Sequence, residues 1–138
     1  MNKHFVFVYG SLRSGGAGAM STRYPESQFI AEARVNGSLY DLGPYPGLQL
    51  DEAGSPVVGE VYEVGDALLS ELDDFEASSN YLRKPVEVWL GSERRSGWTY
   101  EPNPEFYALE ERITSGDWIE YAGKKTARPA GPLPESES

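Results

Sequence analysis

Short runs rich in apolar, β-branched and aromatic residues occur along most of the chain and are separated by glycine- and proline-containing turns, which indicates many short β-strands. Asn36-Gly37 separates two of these runs and is typical of a two-residue hairpin turn. The segment from Gly43 to Gly47 contains two prolines, so we expect a turn there that presents Tyr45 rather than a continuing ladder. The predicted strands cover residues 4–9, 28–35, 38–42, 56–64, 81–90 and 96–101.

One segment, Asp66 to Glu76, has helical spacing, with Asp66 as the predicted N-cap. Residues 106–113 are compatible with either a helix or a strand. Many short strands with one clear helix predict an α+β fold, with a mixed or antiparallel sheet that curls towards a barrel. The apolar stripe of the helix consists of Leu68, Leu69, Leu72 and Phe75.

The length of 138 residues predicts one domain. We place this domain at residues 1–122, because residues 123–138 are rich in proline, serine and glutamate and are expected to be disordered.

The net charge of -10 argues against a nucleic-acid partner. Between Arg34 and Arg83 there are ten acidic residues and no basic one, a pattern typical of a solvated acidic face. The chain contains no cysteine, which excludes disulfides and thiolate chemistry, and its single histidine, His4, is interpreted as a strand residue. The first residues do not resemble a signal peptide and no apolar run would span a bilayer, so we expect a cytoplasmic protein without membrane contact.

The glycine-rich loop after the first strand is a candidate anion site. It lacks the lysine and the glycine spacing of nucleotide-binding loops. Its backbone N–H groups could instead bind a smaller anion such as a carboxylate. An ordinary turn from strand to loop is the alternative.

Glu76 is the acidic residue that lies within the apolar stripe of the helix. A carboxyl group against an apolar surface has a raised pKa, which suits a general acid/base near neutral pH. Alternatively, the helix ends before Glu76 and the side chain reaches water.

Six short motifs occur along the chain: Val8-Tyr9-Gly10-Ser11-Leu12-Arg13, Gly59-Glu60-Val61-Tyr62, Leu72-Asp73-Asp74-Phe75-Glu76 and Tyr81-Leu82-Arg83, with Tyr45-Pro46-Gly47-Leu48 and Ser115-Gly116-Asp117-Trp118. This set resembles the motifs of the gamma-glutamylcyclotransferase-like family, and it resembles those of the gamma-glutamylamine cyclotransferase subgroup most. The resemblance extends to about Tyr121.

The resemblance implies a small mixed β-barrel with one main flanking helix, and an enzyme that needs no cofactor or metal. Glu76 would be the catalytic glutamate. It would transfer the proton as a γ-glutamyl amine or amino acid cyclises to 5-oxoproline. The substrate-binding residues would be Tyr9, Gly10, Ser11 and Leu12, whose backbone would hold the substrate carboxylate, together with Tyr81 and Tyr100.

Other interpretations stay open at this point. Glu76 and Asp73 could serve as the two carboxylates of a hydrolase. The barrel could also bind a small metabolite or a partner without turnover. Arg13 would either assist in binding the carboxylate or be exposed to solvent, and the oligomeric state is not predicted.

Overall fold

A computed structural model describes residues 2–10, 12–13 and 19–126. Nine elements follow one another in the described part of the chain. They are β1 (Lys3–Val8), α1 (Met20–Arg23), β2 (Gln28–Asp41), β3 (Pro46–Leu50), β4 (Ser55–Gly65), α2 (Asp66–Ala77), β5 (Tyr81–Leu90), β6 (Glu93–Pro102) and α3 (Trp118–Thr126).

The six strands form one sheet in the order β3-β2-β4-β1-β6-β5. The β1–β6 pair is parallel and the other pairs are antiparallel. A further pairing of β2 with β5, at Arg34 and Trp89, closes five strands into a small barrel and leaves β3 outside the ring. The predicted α+β fold with a small mixed barrel is therefore confirmed.

Successive residues of β1 point to opposite faces of the sheet and enter different cores. Val6 and Val8 pack in a cluster that includes the buried leucines of α2, whereas Phe7 belongs to a second cluster that reaches Trp118. Helix α2 is thus held on one face of the sheet by its predicted stripe, whose buried members are Leu68, Leu69 and Leu72.

The prediction of a hairpin turn at Asn36-Gly37 is wrong, because β2 continues through both residues to Asp41. The turn lies farther on, at Gly43, whose φ of +100° is a conformation that favours glycine. Gly37 serves a different purpose. A Cβ at this position would lie 2.5 Å from the backbone oxygen of Gln49 on β3, so the glycine permits close packing of backbones.

Two further local predictions are corrected. The N-cap of α2 is Gly65, and Asp66 is the first helical residue, with its carboxylate 2.6 Å from the Nε2 atom of His4. Pro46 and Gly47 begin β3 rather than belonging to the turn. The first position of a strand tolerates proline because the missing N–H has no required partner there.

Helix α3 is not among the elements predicted from the sequence. This helix runs to Thr126, beyond the predicted domain end at residue 122, and residues 127–138 lie outside the described residues. The ambiguous segment 106–113 is neither helix nor strand and makes a single bridge between Arg112 and Tyr40.

Candidate active site

A pocket lies where β1 ends against α2, and its empty volume is about 580 Å³ when open solvent at its mouth is included. The last turn of α2, the first residues of β3 and β5, and β6 complete its wall. The lining residues are Phe7, Val8, Tyr9, Gly10, Leu12, Tyr45, Pro46, Phe75, Glu76, Ser79, Tyr81 and Tyr100.

Glu76 contributes the carboxyl group of this wall. Helix α2 continues to Ala77, so Glu76 occupies its final turn and is not frayed into water. Burial raises the pKa of this carboxyl group from 4.5 to about 7, and the positive charge of Arg23 opposes the increase. The group can therefore both accept and donate a proton near neutral pH.

The end of α2 leads directly into the next part of the wall. Asn80 adopts a φ of +65°, a left-handed conformation that asparagine tolerates better than most residues. This residue reverses the chain between the helix and β5. Ser79 and Tyr81 on either side of it consequently line the same pocket as Glu76.

Tyr9 is a buried tyrosine that joins three strands at the base of the pocket. Its hydroxyl donates a hydrogen bond to the backbone oxygen of Tyr100 at 2.6 Å and accepts one from the backbone N–H of Leu48 at 3.2 Å. Burial raises its pKa, so the phenol stays protonated.

The other two predicted tyrosines are also anchored. The hydroxyl of Tyr81 donates to the backbone oxygen of Pro46 at 2.6 Å. The hydroxyl of Tyr100 donates to Asp73 at 2.7 Å, and burial followed by this carboxylate raises its pKa. Their rings therefore form the wall while their hydroxyls are engaged with the protein.

Asp73 lies one helical turn before Glu76 but faces different neighbours. The Oδ1 atom that accepts the Tyr100 hydrogen bond is also 3.3 Å from Nε of Arg83. Asp73 is not among the described residues that line the pocket. Asp73 and Glu76 therefore do not form a pair of carboxylates that could act on one substrate.

The loop after β1 borders the pocket through Gly10 and Leu12. A Cβ at Gly10 would lie 2.8 Å from Pro46, so only glycine allows the loop to approach β3 this closely. Ser11, the remaining predicted loop residue, lies outside the described residues.

Arg13 is neither exposed nor part of the pocket wall. Its guanidinium donates to Asp117 at 2.9 Å, and only 11% of the side chain is accessible. This pair fastens the loop to the start of α3. Burial acts to raise the pKa of Asp117, but hydrogen bonds from the Glu120 backbone and from Arg13 outweigh it and leave the pKa below its usual value.

Two neighbours of the site, one aromatic and one charged, were not predicted from the sequence. Tyr107 contacts the Tyr81 ring with centroids 5.6 Å apart, and its hydroxyl donates to the backbone oxygen of Ser79 at 2.6 Å. Arg23 lies over Phe75, with the guanidinium 4.4 Å from the ring centroid. Neither residue occurs in a recognisable motif, since both reach the site only through tertiary packing.

The described residues contain no group of three or more histidine and acidic side chains that could hold a metal ion. No helix in the described part of the chain is long and apolar enough to cross a membrane. The described residues form an apolar pocket with one carboxyl group, that of Glu76, whose pKa is about 7. This group lies between the glycine-rich loop and protonated tyrosine side chains.

Comparison with known proteins identifies the family. A model of the family described as "Gamma-glutamyl cyclotransferase, AIG2-like" matches residues 6–120, which include all of the pocket. The chain belongs to the gamma-glutamyl cyclotransferase, AIG2-like family. The predicted resemblance is therefore confirmed.

Relatives in this family cover most of the chain. A Vibrio cholerae protein named as a candidate gamma-glutamylcyclotransferase is 36% identical over 119 residues, 86% of this chain and 97% of its own length. The "Gamma-L-glutamyl-butirosin B gamma-glutamyl cyclotransferase" of Niallia circulans is 34% identical over 126 residues, 84% of this chain and 76% of its own.

The fold agrees with solved structures of the family. A crystal structure of a mouse AIG2-like protein superposes with a TM-score of 0.64 at 26% identity, covering 82% of this chain and 89% of the mouse chain.

Proposed function

We propose that this protein is a γ-glutamyl cyclotransferase that converts a small γ-glutamyl amine or amino acid into 5-oxoproline and the free amine. The observation that carries the proposal is the Glu76 carboxyl group, which lies half-buried in the wall of the pocket with a pKa of about 7. Membership of the family supports the same activity.

The proposed reaction is an internal acyl transfer that needs one group to move a proton. The α-amine of the γ-glutamyl group attacks its own γ-carbonyl carbon and gives a proton to the Glu76 carboxylate. The bond to the leaving nitrogen then breaks, and Glu76 returns the proton to that nitrogen. No water is consumed, and the two products contain all atoms of the substrate.

The proposed binding mode assigns the substrate α-carboxylate to backbone N–H groups of the loop from Tyr9 to Leu12. Backbone donors suit this task because they are fixed by the fold and bind an anion without a buried counter-charge. Apolar and aromatic walls exclude water from the reacting centre. Orientation of the amine against its own carbonyl then supplies much of the acceleration, as in other intramolecular reactions.

The test is a screen of γ-glutamyl compounds with detection of 5-oxoproline, using wild-type protein and the Glu76→Gln variant. Glutamine keeps the shape of the side chain and removes the base, so we expect kcat to fall by about 10²–10⁴-fold. Glu71→Gln on the exposed side of the same helix is the matched control and should retain activity. Release of 5-oxoproline by Glu76→Gln at the wild-type rate would disprove the mechanism.

The same screen addresses a barrel that only binds metabolites. In that case γ-glutamyl compounds would raise the melting temperature of the wild-type protein while no 5-oxoproline accumulated. That result would contradict the proposed enzyme.

A further inference from the structure

Arg23 is an exposed cation at the edge of the candidate active site. It ends the short helix α1, which follows the glycine-rich loop. Its guanidinium lies 4.4 Å over the ring of Phe75, a residue that lines the pocket and directly precedes Glu76. The charge of Arg23 is also close enough to Glu76 to oppose the increase in the pKa of that carboxyl group.

The other arginines around the site are already paired. Arg13 binds Asp117, and Arg83 contacts Asp73. Within the described residues, no carboxylate lies within ion-pair distance of Arg23. A cation held next to a pocket without an acidic partner is therefore available to a ligand.

The contact with Phe75 leaves the hydrogen-bonding edge of Arg23 accessible. A guanidinium is planar and carries its N–H donors in that plane, so stacking one face on a ring does not consume them. The ring and the neighbouring Tyr24 hydroxyl, with which the charge also interacts, limit the orientations available to the group. A planar fork held in this way matches a carboxylate, which accepts two parallel hydrogen bonds.

We propose that Arg23 binds a carboxylate on the leaving amine, so that the preferred substrates are γ-glutamyl derivatives of amino acids rather than of simple amines. This inference rests on the proposed function. The α-carboxylate of the γ-glutamyl group is assigned to the loop backbone, which leaves Arg23 for a second anionic group. In a chain with a net charge of -10, a local cation also offsets the repulsion of a substrate with two carboxylates.

The experiment compares two substrates that differ only by the carboxylate in question, γ-glutamylalanine and γ-glutamylethylamine. The proteins are the wild type and the Arg23→Gln variant, and kcat/KM for 5-oxoproline release is measured for each combination. We expect Arg23→Gln to lower kcat/KM for γ-glutamylalanine by about tenfold, the usual size of one partly exposed charge-assisted contact. Measured at a pH well above 7, where a change in the pKa of Glu76 does not alter its ionisation, the value for γ-glutamylethylamine should change by less than about twofold.

Arg94→Gln is the matched control. Arg94 also lies over an aromatic ring, with its guanidinium 5.2 Å from the centroid of Trp89, but it lines a different cavity. This variant should leave both substrates unaffected. Arg23→Lys, which keeps the charge but not the planar fork, should show an intermediate loss for γ-glutamylalanine alone.

Two kinetic outcomes would overturn the assignment. Equal losses for both substrates would mean that Arg23 acts on Glu76 or on a group that the substrates share. No loss for either would mean that Arg23 does not contact the substrate.

A binding measurement separates this inference from the proposed reaction. Calorimetric titration of Glu76→Gln with γ-glutamylalanine and γ-glutamylethylamine gives a ratio of Kd values that does not depend on turnover. Adding Arg23→Gln should remove the preference for γ-glutamylalanine. If wild-type protein released no 5-oxoproline, the proposed function would fail, but a preference that depends on Arg23 would still support this assignment. Absence of binding or of that preference would overturn it.

Discussion

Glu76 places a carboxyl group where its ionised form is less stable than it would be in water. The carboxyl group lies against apolar and aromatic side chains in the last turn of α2, and burial raises its pKa to about 7. Acidic neighbours can also raise the pKa of a carboxyl group. The causes in the structure are instead burial and an opposing effect of Arg23, because the other acidic side chains of α2 point elsewhere.

The first prediction concerns the pH dependence of catalysis. In the proposed reaction Glu76 must be ionised to accept the proton of the substrate amine, so kcat/KM should decrease below pH 7, approaching tenfold per pH unit. A pH profile measured on wild-type protein should give an ascending limb with an apparent pKa near 7. A limb near 4.5, the usual value for glutamate, would show that the acid/base is a different or unperturbed carboxyl group.

The second prediction concerns stability. The pKa of Glu76 is about 7 in the folded protein and 4.5 without the fold, so the folded state holds the proton more tightly. Ionising Glu76 therefore lowers the free energy of unfolding as pH rises from about 4.5 to about 7, and the full loss is present above pH 7. Glu76→Gln should consequently be more stable than wild type at pH 8, by about 3 kcal/mol at most.

Urea denaturation at pH 8 and at pH 4 measures this difference. The gain from Glu76→Gln should disappear at pH 4, where both side chains are neutral. A gain of the same size at both pH values would trace the effect to packing rather than to charge.

At the scale of elements, Gly37 shows that one local motif can have two structural meanings. Asn-Gly is a strong signal for a two-residue turn, yet here it lies inside β2. The deciding contact is long-range. The backbones of β3 and of the turn before β4 pass close to Gly37, and a Cβ at Gly54 would lie 2.7 Å from its Cα atom.

The third prediction follows from this contact. Gly37→Ala should destabilise the protein by about 2 kcal/mol or more, because the new Cβ would lie 2.5 Å from a backbone oxygen that cannot move alone. Gly123→Ala is the control. Its Cβ would have no atom within 4 Å and would lie inside α3, so this variant should gain about 0.5–1 kcal/mol. Both values come from denaturant unfolding, and a neutral Gly37→Ala would contradict the close approach.

For the other elements too, the local sequence pattern predicts only what does not depend on long-range contacts. The apolar stripe of α2 and the β-branched runs of β1, β4 and β5 indicate directly which residues are buried. The bounds of these elements were therefore predicted nearly correctly. Helix α3 was missed because Trp118 joins a core formed by residues far away in sequence. Glu76, Tyr9 and Tyr81 could be selected from helical spacing and family motifs, whereas Arg23 and Tyr107 reach the site only through tertiary packing.

For the whole molecule, the net charge argues against a nucleic-acid partner, and the positions of the charged residues also show how charge is arranged around the pocket. Five of the ten acidic residues between Arg34 and Arg83 are exposed, whereas Glu60 is buried and Glu76 lines the pocket. The arginines nearest the pocket lie outside the interior of that segment, on the glycine loop, on α1 and at its boundary in β5. The acidic segment contributes Glu76 to the pocket, and the flanking parts of the chain contribute the positive charge around it.

The position of β1 in the sheet has a consequence for how the protein matures. Val6 pairs with Tyr62 on β4 and with Trp98 on β6. The first strand to be synthesised, β1, can therefore complete its pairing only after β6 has been synthesised. The pocket needs Tyr100 from that late strand, whereas α2 and Glu76 are synthesised before it. During translation, helix α2 therefore leaves the ribosome before β6 completes the pocket wall, and we expect the pKa of Glu76 to rise only when that last strand docks.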